Sequence, residues 1–252
     1  QGSTELAAGN AVGTVISNTG LILGIAFFFM NVTIRRSDYL VQSLLLIFSA
    51  AVIWWGCQNG FLSTPATLLL MLFFFIFVYR NLSAGRQHRQ HTRETREHMD
   101  TSRRNIIRNM LGFFFGAAAI LIGSRLMVFG GTSLAQLLGI PERIIGITVV
   151  AVGTSIPELV TTLAAIRKNE HDLSAGNIIG ANILDLTLIL PLCSLASGNP
   201  LPVAPSAVTF DLPACLLITL IGILPLLIRE KAGRIQGLLL LASYAAYLVV
   251  IL

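Results

Sequence analysis

Charge is what this sequence has least of. Only 12% of its 252 residues are Asp, Glu, Lys or Arg, while 54% are hydrophobic. Soluble domains carry about a quarter charged residues, so the composition excludes that class. The apolar segments also lack the polar faces that a soluble helical bundle would need. Cysteine is scarce. Cys57, Cys193 and Cys215 cannot all pair and have no metal-ligand spacing, which excludes a disulfide framework and a thiolate centre and leaves packing thiols. No ATP-binding motif is seen in these residues. No initiator methionine, signal peptide or tag is visible in these residues. From its start at Gln1, close to an apolar run, the chain is expected to be a fragment or a processed product.

What remains is apolar sequence in lengths that cross a bilayer, about 20 residues each. Spans are expected at roughly 11–30, 40–56, 65–79, 110–137, 143–166, 174–197, 207–228 and 235–252. The fold class is therefore all-α integral membrane. The net charge of +5 does not point to nucleic acid, because its placement is periodic. Arg35 and Arg36, eight arginines from Arg80 to Arg108, Arg167 with Lys168, and Arg229, Lys231 and Arg234 follow the first, third, fifth and seventh spans. Opposite loops hold only Arg143, and Arg125 lies inside a span. The bias puts the basic loops in the cytoplasm and supports the span count.

The chain contains an internal repeat. Residues 5–23 align without a gap on residues 172–190, sharing Gly-Asn-x-x-Gly and a closing Leu-Ile-Leu. Glu5 falls opposite Asp172, Thr14 opposite Ala181 and Asn18 opposite Asp185. One copy ends its span at a basic cluster and the other begins from one, so the repeats are inverted. Inverted repeats with polar groups in interrupted helices describe a secondary transporter.

Two acids stand in apolar runs, Glu158 and Asp185. An ionised carboxylate at membrane depth is costly, and such residues mark ion pathways. On a continuous helix Thr154 and Ser155 share a face with Glu158, giving hard oxygen donors suited to Na⁺, Ca²⁺ or Mg²⁺. Pro157 removes an N–H and clashes with the carbonyl of Gly153, freeing carbonyls near Val152 and Gly153 as further ligands. Asn182 lies one turn before Asp185, and Gly176 with Gly180 allows close helix approach. Thr14 and Asn18 share a face in the first copy. Transition metals fit poorly without histidine or cysteine. Ser155 has no intramembrane histidine or lysine to activate it, so the chain is not expected to be an enzyme.

The polar stretch 80–109 is expected to be a solvated cytoplasmic connector. It holds Arg86, Arg89, Arg93, Arg96, Arg103 and Arg104 among Glu94, Glu97 and Asp100. Anionic-lipid contact there is a weaker reading. His88, His91 and His98 are read as solvent-exposed, because no carboxylate or cysteine partner has ligand spacing.

Gly153-Thr154-Ser155-Ile156-Pro157-Glu158, followed by Gly176-Asn177-x-x-Gly180-x-Asn182-x-x-Asp185, resembles the second alpha repeat of the cation/Ca²⁺ exchanger superfamily. It looks most like a prokaryotic sodium/calcium exchanger. Gly9-Asn10-x-x-Gly13-Thr14-x-x-x-Asn18 resembles the back half of the first repeat. The resemblance implies helices three to ten of a ten-helix inverted-repeat fold. Residues 1–79 would close the first half, 80–109 would be the basic loop and 110–252 the second half. It implies metal ligands at Glu158, Asp185, Asn18, Thr154, Ser155 and Thr14, with the Ala151 carbonyl at a sodium site. It also implies that the long helix at 110–137 is a sliding gate. Ala181 stands where serine is usual, removing one hydroxyl. The first-repeat glutamate would lie upstream of Gln1, so the chain alone is expected not to transport.

The expected activity is antiport of Ca²⁺ against Na⁺, with no prosthetic group, in a prokaryotic inner membrane. H⁺/Ca²⁺ exchange, K⁺-dependent exchange and a non-exchanging cation channel stay open.

Overall fold

Apolar runs of this length can satisfy their backbone groups in a bilayer only by forming helices or a closed barrel, and this chain forms helices. The computed structural model describes residues 2–95, 103–140, 142–168, 171–198 and 200–251. Helix α1 (Gly2–Ser17) passes through a wide π turn (Asn18–Leu23) into α2 (Gly24–Phe29). Strand β1 (Val32–Thr33) then leads to α3 (Arg36–Gly56), α4 (Thr64–Thr95) and α5 (Arg103–Leu137). A broken segment follows, made of α6 (Glu142–Ile145), a wide turn (Gly146–Val150), α7 (Ala151–Thr154) and α8 (Ile156–Lys168). Helix α9 (His171–Leu184) passes through a wide turn (Asp185–Ile189) into α10 (Leu190–Ala196). A last wide turn (Ala207–Asp211) opens α11 (Leu212–Arg229), and β2 (Lys231–Ala232) precedes α12 (Arg234–Ile251).

Seven of these helical stretches are long and apolar enough to span, and the pair Thr148–Thr154 and Ile156–Lys168, bent by 49°, makes an eighth. Counted as one broken span, the bent pair brings the number among the described residues to the expected eight. The third span is longer than expected, with apolar length Thr64–Ser83 and helix continuing to Thr95. The polar stretch is accordingly not a loop where it is described. It is rich in Arg, Gln and Glu and free of proline, a composition that favours helix. Arg96, Glu97, His98 and Asp100 lie outside the described residues. So do the side chains of Glu5, Arg86, His88, Arg89, His91, Arg93, Glu94, Arg103, Arg104, Arg143 and Asp172.

The inversion read from the repeat appears in two loop junctions. Beyond spans one and seven, β1 and β2 pair antiparallel, Val32 with Ala232 and Thr33 with Lys231. This brings two of the basic clusters to one side. Beyond spans two and six, Leu62 N–H donates to the Leu201 carbonyl at 2.9 Å, and Val203 N–H to Gly60 at 2.9 Å. An inverted repeat exchanges these two junctions. Between them α3 packs along α11. The core is formed by Ile16, Leu23, Phe27, Leu46, Ile179, Ile183 and Leu186, all below 2% exposed. Helix α5 is peripheral: only 6% of its apolar window is buried.

Candidate cation site

The repeat predicts that positions 18 and 185 are equivalent, and the backbone treats them so. A wide turn begins at Asn18 in one copy and at Asp185 in the other. Such π insertions swell a helix locally, redirect side chains and concentrate at functional sites. Helix α1 packs against the broken segment and against the wide turn of Asp185, so the two repeats meet here.

Breakage at Ser155 changes the expected geometry. Thr154 and Ser155 do not share a continuous helical face with Glu158, because the helix ends at Thr154 and restarts at Ile156. Their hydroxyls turn back to the Ala151 carbonyl, Thr154 Oγ1 at 3.0 Å and Ser155 Oγ at 2.8 Å. A hydroxyl that donates its proton in this way keeps its lone pairs for another partner. Thr14 Oγ1 lies 3.2 Å from Thr154 Oγ1, so these two predicted ligands are brought together from opposite repeats. Ala181 offers no counterpart to Thr14.

The carbonyl freed by Pro157 is not left open, contrary to expectation. Ser124 on α5 donates its hydroxyl to the Gly153 carbonyl at 2.5 Å. A bare buried carbonyl costs about 1–3 kcal/mol, which the serine offsets. Gly153 also receives Val128 of α5, since a β-carbon there would sit 2.4 Å from Val128 Cγ2.

Asn18 is fully buried. Its amide nitrogen donates to Asn182 Oδ1 at 2.9 Å, and Asn182 donates in turn to Thr19 Oγ1 at 2.8 Å. Asn18 Oδ1 is left without a hydrogen-bond partner, and so is Glu158 Oε2. Helix α8, which carries Glu158, packs on α9, which runs into Asp185, and on the wide turn of Asn18. Buried acceptors are nearly always satisfied, and donor-less oxygens on Asn18 and on the acid Glu158 suit a cation. No cluster of three or more His, Cys, Asp or Glu that could hold a metal occurs among the described residues.

A profile of the family described as sodium/calcium exchanger protein matches residues 1–82 and 108–252. The chain belongs to that family. It is therefore a membrane transporter, not an enzyme. It is 32% identical to the membrane protein MJ0091 of Methanocaldococcus jannaschii over 243 residues, 95% of this chain and 74% of that protein. With sodium/calcium exchanger MaX1 of Methanosarcina acetivorans it shares 42% identity over 134 residues, 53% of this chain and 38% of that one. The structure of the sodium-calcium exchanger NCX_Mj, soaked with Na⁺ and Sr²⁺, superimposes with a TM-score of 0.74 at 28% identity, covering 98% of this chain and 77% of that one. The inverted-repeat exchanger fold is thus confirmed.

Three residues of this exchanger, Thr19, Ser124 and Asp211, escaped the sequence reading, and a fourth, Asn182, was read only in part. Thr19 and Ser124 gave no signal, being hydroxyls in apolar helices. Asn182 was noted beside Asp185, but its reach across to Asn18 was not foreseen. Asp211 carried the same signal as Glu158: an acid in an apolar span. It is 2% exposed, and the Tyr247 hydroxyl donates to its Oδ1 at 3.1 Å.

Proposed function

We propose that this exchanger moves Ca²⁺ against Na⁺ by alternating access, binding the ions at the meeting point of its inverted repeats. The observation that carries this reading is the pair of buried donor-less oxygens, Asn18 Oδ1 and Glu158 Oε2. Leaving such oxygens dry costs free energy in the ion-free state, and a hard cation recovers it. Glu158 and Asp185 supply the negative charge, Asn18 a neutral oxygen. Thr14, Thr154 and Ser155 contribute hydroxyl lone pairs. The Ala151 carbonyl joins when the hydroxyls on it rotate away to meet Na⁺.

The surrounding assignments follow the same reading. The division into 1–79, 80–109 and 110–252 is supported by the break in the family match around the polar stretch. The basic loops face the cytoplasm, on the strength of the charge bias, and the likeness to prokaryotic proteins supports a prokaryotic inner membrane.

The test is equilibrium binding of radioactive Ca²⁺ to the purified chain, titrated with Na⁺, K⁺ and H⁺. Competitive displacement by Na⁺ that is absent in Glu158→Gln is the expected result. Displacement by protons alone would make H⁺ the counter-ion. Saturable binding untouched by Glu158→Gln would overturn the site.

A further inference from the structure

The basic side of the molecule carries a cavity that the cation site does not use. Its volume is about 760 Å³, and it lies where α2 ends, α11 ends and α12 begins. Phe29, Ile235 and Leu239 form an apolar wall, and Arg229, Lys231 and Arg234 line the same space. The wall residues are 66%, 79% and 55% exposed, and all three cations are exposed.

One local acid offsets only part of this charge, and the rim of three cations stays net positive. Glu230, between Arg229 and Lys231, accepts the backbone N–H of Arg36 at 2.9 Å. Arg36 is itself committed to capping α11, with its guanidinium donating to the carbonyls of Leu227 at 2.8 Å and Ile228 at 2.9 Å. Three cations are left facing an open space. The frame around them is firm, with β1 paired to β2 and Gly237 of α12 seated against the backbone of Phe28.

A cationic rim beside an exposed apolar wall at the end of three spans is matched by a molecule with an anionic head and an apolar tail. Free phosphate would use the rim and leave the wall bare, and a neutral lipid would do the reverse. We propose that this cavity binds one anionic phospholipid of the basic-side leaflet, with its phosphate among Arg229, Lys231 and Arg234 and an acyl chain along Phe29 and Leu239. Basic pockets between spans recognise phospholipid head groups in this way. The inference rests on the membrane fold alone and not on which ion is exchanged.

Native mass spectrometry of the purified chain titrated with phosphatidylglycerol or phosphatidylcholine tests it. One phosphatidylglycerol is expected to remain bound, and Arg229→Gln/Lys231→Gln/Arg234→Gln should weaken it by about tenfold or more. Removing basic-side charge elsewhere, in Arg167→Gln/Lys168→Gln, should leave it in place. Equal loss in both variants would reduce the effect to general surface charge and overturn the site. Equal retention of phosphatidylcholine, or glycerol phosphate competing as well as the intact lipid, would also overturn it, independently of any variant.

Discussion

Asn18 donates its side-chain amide to Asn182 across 2.9 Å, and the bond joins one repeat to the other in a fully buried position. It fixes which way the Asn18 oxygen points, because Asn182 is held in turn by Thr19. Asn182→Leu should therefore weaken Ca²⁺ binding roughly tenfold without removing a ligand, a loss of about 1.4 kcal/mol. A thermal melt should also show destabilisation of about 1–3 kcal/mol from the unpaired Asn18 amide. Asn182→Asp keeps the acceptor and should retain most of the Ca²⁺ affinity. If Asn182→Leu binds Ca²⁺ like the parent chain, the orienting role is wrong.

Glu158 presents a buried oxygen with no donor, so its carboxylate burdens the ion-free protein. Glu158→Gln should raise the melting temperature in chelator while abolishing stabilisation by Ca²⁺. In the parent chain, Ca²⁺ at a hundred times its Kd should add about 2.7 kcal/mol. Melting curves with and without Ca²⁺ separate the two effects. An unchanged Ca²⁺ response in the variant would remove Glu158 from the ligand set.

Much of this was legible in the sequence because membranes punish exceptions. The spans follow from length and apolarity, and Glu158 and Asp185 stand out because charge is so costly there. The gapless repeat placed Asn18 opposite Asp185, and both begin a wide turn. What could not be read is how a break is filled. Pro157 announced a free carbonyl at Gly153, but not that Ser124, 29 residues earlier, would cap it. A serine on an apolar helix looks the same whether it bonds its own turn or a neighbouring one. Helical periodicity likewise put Thr154, Ser155 and Glu158 on one face, and the break at Ser155 undid that inference.

Ser124→Ala leaves the Gly153 carbonyl without its hydroxyl donor, next to the proposed ligands. The expected cost is about 1–3 kcal/mol in denaturant titration. Ser124→Thr should retain the bond and most of the stability. Because α5 is otherwise largely exposed, the alanine variant should also raise hydrogen exchange in Ala151–Thr154. Unchanged exchange there would show that Val128 seated on Gly153 suffices to hold the break.

Gly237 and Gly112 predict opposite outcomes for the same substitution. A β-carbon on Gly237 would lie 2.5 Å from Phe28 N and 2.7 Å from the Gly24 carbonyl oxygen, both backbone atoms that cannot rotate away. Gly237→Ala must push α12 off α2, at about 1–3 kcal/mol for overpacking. Helix α12 also packs on the wide turn of Asn18, so Ca²⁺ affinity should fall with stability. At Gly112 on α5 a β-carbon meets nothing within 4 Å. Gly112→Ala gains helix propensity alone, up to about 1 kcal/mol, with Ca²⁺ binding unchanged. Denaturant titration and Ca²⁺ isotherms on the two variants check both signs. A stable, tightly binding Gly237→Ala protein would show that the α2–α12 contact has slack and does not position Asn18.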